Sequence, residues 1–175
     1  MVMGAFSHHL LHPIMWTGKR EPRGRGHLVG ADYAIISREV GRQLQLPYAD
    51  VKKGNKILSK LGVNPDAWFF CIYARDPYYK KRPSHDYRNC DMQTLIPAIE
   101  YLVDAGGQGI RMGVSGSAKL PVMNHVSEYS HSKHRSDFMD VFLAAHCKFF
   151  LGNLGGICEL ARCVFHKTTM LHNLI

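Results

Sequence analysis

The chain has 175 residues, 46% apolar and 21% charged, with 22 Lys and Arg against 14 Asp and Glu for a net charge of +8. That length suits one domain with a real core and excludes two full-sized ones, and the composition is ordinary for a globular protein. The positive charge attracts nucleic acid, nucleotides, phosphorylated substrates or an acidic membrane face without choosing among them. No apolar run approaches the roughly 18 residues of a membrane span. The N-terminus lacks a signal-peptide layout, because His8, His9 and His12 break its short apolar stretch. These readings place the protein in the cytoplasm, with peripheral contact at the inner membrane face left open.

Residues 1–47 read as an irregular basic arm, or as the remnant of a preceding domain. Gly18 to Gly26 (GKREPRGRG) is a basic, Gly- and Pro-rich segment read as a solvated linker. Residues 48–175 read as one domain. Asp50 is predicted to cap a helix over Val51 to Leu61, stopped by Gly62, with a turn at Asn64-Pro65-Asp66. Ala67 to Tyr73 is continuously apolar, as expected of a strand covered on both faces. Ala74 to Asp91 (ARDPYYKKRPSHDYRNCD) is too long and polar for a plain connection, since structureless loops beyond about 12–15 residues are usually functional or disordered. Its tyrosines argue against disorder and for a folded loop at a ligand-binding edge.

Asp91 is predicted to cap a helix over Met92 to Ala105, with Pro97 marking a kink or a later start and Gly106-Gly107 a stop. A strand follows at Gly109 to Met112, then a loop, then a short strand at Asn124 to Tyr129. Ser136 or Asp137 caps the next helix, with Phe138, Val141, Phe142 and Ala145 on one face. Lys148 to Leu151 is a strand, Ile157 to Val164 a helix and Thr168 to Leu171 a last strand. This alternation predicts an α/β fold: a Rossmann-like, mainly parallel sheet with helices on both faces. The five cysteines, odd in number and without a C-x-x-C pair, read as reduced thiols rather than disulfides or zinc ligands.

In such a sheet ligands bind beyond the carboxyl ends of the strands. The sequence places Arg75 and the loop with His85, Asp86, Arg88 and Asn89 after the first strand. Arg111 and Gly113 follow the second, Arg135, Ser136 and Asp137 the third, and Gly155 and Gly156 the fourth. Arginine forks suit phosphate oxygens, and N–H groups at a helix start favour an anion. There is no G-x-G-x-x-G and no Walker A sequence. Duller readings stand beside these. Arg111 is a candidate for a structural ion pair with Asp137, and Asp86 and Asn89 for Asx turns in their own loop. The histidines show no metal-ligand spacing, so no metal site is expected.

HDYRNCD (His85 to Asp91), IPAIEYLVDAG (Ile96 to Gly106), IRMG (Ile110 to Gly113) and RSDFMDVFLAAHCKFF (Arg135 to Phe150) resemble a family of bacterial glycosyltransferases of GT-B type. The resemblance covers Tyr48 to Asn173 and matches the C-terminal, nucleotide-sugar-binding half. It implies metal-independent transfer of a sugar from a nucleotide-activated donor to a glycan or other acceptor, in polysaccharide or glycoconjugate biosynthesis. Carried onto this chain, Arg75, Arg88 and Arg111 would contact phosphates, and Gly155 and Gly156 would form the diphosphate site. His85, Asp86, Asn89, Arg135 and Asp137 would shape the donor pocket, with Gly113 and Ser136 beside them and His85 and Asp86 as the catalytic candidates. No cofactor is implied beyond the nucleotide sugar as substrate.

A GT-B enzyme has a second Rossmann-like domain for the acceptor, and only 47 residues precede the matched part here. A separate acceptor-domain chain or a homo-oligomer would then complete the enzyme. The alternative expectation is a non-catalytic or truncated nucleotide-binding module. Nucleic acid is the least favoured partner, because the basic residues are not interleaved with aromatics along one surface.

Overall fold

The computed structural model describes residues 44–78, 86–87, 89–114 and 116–173. Nearly all of the N-terminal arm, and His85 and Arg88, lie outside the described residues. Helix α1 spans Tyr48–Lys60. Pro47, not Asp50, occupies its cap position, and Asp50 sits in the first turn, where a carboxylate favours the helix dipole. The helix ends at Gly62, whose φ of 76° lets the Gly62 and Val63 amides turn back onto the Ser59 and Leu58 carbonyls.

Strand β1 (Phe69–Tyr73) follows the Asn64 turn, in which the Asn64 carbonyl accepts the Ala67 amide. Asp91 caps a 3₁₀ turn over Met92–Leu95 by accepting the Gln93 amide at 3.0 Å. Helix α2 proper spans Ile96–Asp104, so Pro97 marks a later start rather than a kink. Strand β2 is Gln108–Arg111 and β3 only Val126–Ser127. Helix α3 (Asp137–His146) is capped by Ser136, whose hydroxyl accepts the Met139 amide. Of the expected face, Phe142 is buried and Phe138 packs half-buried against the same core, while Met139, Leu143 and Ala144 are buried in place of Val141 and Ala145. Strand β4 is Phe149–Gly152, helix α4 Gly156–Glu159 continues into a π-helical turn over Leu160–Val164, and strand β5 is Thr168–Leu171.

The five strands form one sheet in the order β3-β2-β1-β4-β5, and every pairing is parallel. The fold is therefore α/β and Rossmann-like. β1 lies at the centre, which explains its continuous apolar run. Alternate residues go to opposite faces. Phe69 and Cys71, with Ile110 and Phe150, pack under α1, α3 and α4, while Phe70 and Ile72, with Leu151, pack under the 3₁₀ turn and α2. Cys71, Cys147, Cys158 and Cys163 are buried free thiols, and Cys90 is half-buried. Among the described residues no helix is long and apolar enough to cross a membrane.

Candidate functional site

The strand order has a switch point. From β1 the chain steps outward through β2 to β3, then returns to the other side of β1 for β4 and β5. The connection leaving β1 runs to α2 on one face, and that leaving β4 runs to α4 on the other. The two exits leave towards opposite faces, so the edge between β1 and β4 is a topological switch point, where open α/β sheets receive ligands.

Arg75 and Asn153 stand at the two exits. The Arg75 amide donates to Asn153 Oδ1 at 3.0 Å, and the Arg75 carbonyl accepts the Cys90 amide at 2.8 Å. The backbone of Arg75 is thus fixed from both sides. Its Nε is buried and has no hydrogen-bond partner among the described residues. Asn153 is 2% exposed. Beyond it, Gly155 is extended and Gly156 opens α4, where an added Cβ would meet nothing within 4 Å. The backbone is open at Gly156, whereas the Tyr73 ring lies against Gly155, 3.1 Å from where a Cβ would stand.

The return leg of the long loop spans the same edge. Asn173 Nδ2 donates to the Asn89 carbonyl at 2.9 Å, and the Cys90 thiol lies 3.3 Å from His172 Nδ1. Residues 89–90, after β1, are thereby tied to the exit of β5, two strands away. Asp86 and Asn89 also bind each other, through the Asn89 amide on the Asp86 carbonyl and Asn89 Nδ2 on Asp86 Oδ1. Asp86 is exposed, so the described contacts of this pair hold the loop's own shape.

Arg111 is placed differently from Arg75. Only 1% exposed, its guanidinium donates to the Met112 carbonyl and, at 3.0 Å, to that of Ala118. Its carboxylate neighbour is Glu128, at 3.8 Å, and not Asp137. The register explains this: Ile110 pairs with Ser127, so the next residues, Arg111 and Glu128, are neighbours across adjacent strand ends. Burial lowers the Arg111 pKa, opposed by Glu128, Asp76 and Tyr73. Gly113 has φ 146°, and a Cβ there would collide with the Arg111 guanidinium. Arg135 Nε donates to the Gly113 carbonyl at 2.7 Å, and the same guanidinium lies 3.5 Å from Asp140. Arg111 and Arg135 therefore meet around Gly113, apart from the Arg75 contacts. Asp137 is exposed at the first position of α3, and Ser136 is its cap.

A cavity of about 320 Å³ opens beside Arg111, lined by Ala74, Asp76, Asn89, Cys90, Asp91 and Arg111 among others. That is the lower end of the size range of small-molecule sites. Its two carboxylates are occupied by backbone. Asp76 accepts the Tyr78 and Ala118 amides, and Asp91 accepts that of Gln93. Among the described residues no group of His, Cys, Asp or Glu is arranged to hold a metal ion.

Sequence reasoning did not single out Asn153 as a tie between strands, Glu128 as the partner of Arg111, or the Cys90–His172 contact. A second unforeseen network joins Tyr129, Ser136 and Asp140. The fully buried Tyr129 hydroxyl meets the Ser136 backbone at 3.1 Å and Asp140 at 2.9 Å. It holds the start of α3 against β3. Comparison with protein-family models, curated proteins and solved structures finds no match to this chain.

Proposed function

We propose that the crevice between β1 and β4 binds the diphosphate of a nucleotide-activated sugar, making this domain the donor-binding half of a glycosyltransferase. The observation that carries the reading is Arg75. Its backbone is held by Asn153 and Cys90 at the switch point of an all-parallel sheet, and its buried Nε has no partner among the described residues. A guanidinium in that position can meet phosphate oxygens, and the open backbone at Gly156 admits a close approach. As negative charge grows on the departing diphosphate, a cation already fixed in place stabilises the transition state more than the ground state. The resemblance of the HDYRNCD and RSDF stretches to GT-B enzymes supports the same reading. The acceptor side, and a partner chain to carry it, belong to the proposal as well.

The residue that tests this is Arg75 rather than Arg111, since Arg111 is engaged by two carbonyls and Glu128 and its loss would disturb the fold. A panel of nucleoside diphosphates in a thermal-shift assay should raise the Tm of the wild type. Ligand at about 100 times its Kd adds roughly 2.7 kcal/mol. Arg75→Met should abolish the shift while leaving the unliganded Tm close to wild type. No shift with any nucleoside diphosphate would end the reading.

One observation favours a second reading, binding without transfer. Asp76 and Asp91 are both engaged by backbone amides, and Asp86 is exposed and tied to Asn89. No described carboxylate at this edge is therefore poised as a base. Nucleoside diphosphate binding with no turnover of any nucleotide sugar would select that reading.

A further inference from the structure

We propose that Cys90 is a nucleophilic thiol, served by His172 as its base, that undergoes exchange with small disulfides entering the cavity beside Arg111. The inference is independent of whether the crevice takes a nucleotide. Four of the five cysteines are buried, Cys71, Cys147 and Cys158 of them in the core under α1, α3 and α4, and Cys90 alone is half-buried and lines the cavity. Its thiol lies 3.3 Å from His172 Nδ1, a contact made between residues 82 positions apart. Cys90 thus borders the cavity, and its thiol meets an imidazole.

The imidazole is itself positioned. The His172 amide donates to the Gly152 carbonyl at 3.1 Å, continuing the β4–β5 ladder by one residue. Nε2 is buried. Nε2 has no hydrogen-bond partner among the described residues, while the Tyr73 carbonyl favours a proton on the ring. Burial outweighs that carbonyl and keeps the ring neutral, which leaves a nitrogen able to accept a proton. A nucleophile within hydrogen-bond reach of a base is an arrangement by which weak nucleophiles are activated, and here the base is anchored through its backbone. The remaining thiol contacts, to the Asp91 carbonyl and Thr94 Oγ1 at 3.4 and 3.7 Å, hold the sulfur in place without removing its proton.

The step balances with the disulfide as co-reactant. Cys90 Sγ attacks one sulfur of the small disulfide and its proton passes to His172. The S–S bond breaks, and the departing thiolate takes that proton and leaves as a thiol. Cys90 ends oxidised in a mixed disulfide, and the released half ends reduced.

The probe is dithiodipyridine, whose released thiopyridine is followed by absorbance, with the modified residue located by peptide mass spectrometry. In the folded chain one rapid equivalent should appear, on Cys90, and Cys90→Ser should remove it. His172→Gln should slow it by about tenfold or more, since a positioned base contributes roughly 10² to 10⁴. A measurement that needs no variant compares Cys90 in folded and urea-unfolded wild type. The folded rate should be the greater despite the lower exposure. A folded Cys90 slower than the unfolded one, a rapid equivalent on another cysteine, or an unchanged rate in a folded His172→Gln protein would overturn the proposal.

Discussion

The amide of Arg75 donates to the side-chain oxygen of Asn153, and this bond joins the exits of the two strands between which the sheet opens. The first residue beyond β4 thus fixes the second residue beyond β1. Because Asn153 is buried, replacing it leaves the Arg75 amide without its acceptor. Asn153→Leu should therefore cost about 1–3 kcal/mol, the range for an orphaned buried donor. Urea unfolding monitored by circular dichroism measures this. A loss under about 0.5 kcal/mol would mean that the bond does not hold the edge.

Arg111 should behave as a structural residue. Arg111→Met removes the donors that hold the Met112 and Ala118 carbonyls and leaves Glu128 without its cation. Glu128 is 27% exposed and keeps the Ser130 hydroxyl and the Leu120 amide, so the main loss is that of the two orphaned carbonyls, about 1–3 kcal/mol each. Adding Glu128→Gln should recover part of that loss, and a double-mutant cycle in urea gives the coupling. Additive losses would show that the 3.8 Å pair contributes nothing.

Acid should weaken the fold through two histidines. Burial lowers the pKa of both His146 and His172, each opposed by a backbone carbonyl, with Lys167 lowering His146 further. Between the ordinary histidine value of about 6.5 and the lower folded values, the unfolded chain binds more protons than the folded one. The stability from these two groups is therefore complete above about pH 6.5 and is lost as pH falls through that window. Asp140 acts oppositely. Burial raises its pKa, so its share is present at low pH and lost as pH rises through its folded value. The urea midpoint should drop between pH 7 and about pH 5.5, and His146→Gln should flatten that slope. A midpoint constant over this range would contradict the histidine assignment.

How far the sequence could be read depended on the range of each interaction. The strand–helix alternation, the glycine stops at Gly62 and Gly106, the Ser136 and Asp91 caps and the late start at Pro97 are all local, and they match the structure. The α3 face was misjudged in part because aromatic residues at helical spacing do not reveal which side meets the sheet. The partner of Arg111 turned on the register of a two-residue strand, which spacing along the chain does not encode. The ties of Asn153 and His172 form only when β4 and β5 come to lie beside β1. Of the arginines expected to converge, Arg111 and Arg135 meet at Gly113, the Arg75 backbone is held by Asn153, and Arg88 lies outside the described residues.

The most direct measurement is a nucleoside diphosphate titration followed by amide chemical shifts in isotope-labelled protein. The account expects saturable shifts at Arg75, Asn153, Gly155 and Gly156, with little change at the opposite end of the sheet near Trp68 and Gln108. Shifts absent at millimolar ligand, or clustered away from the exits of β1 and β4, would contradict it.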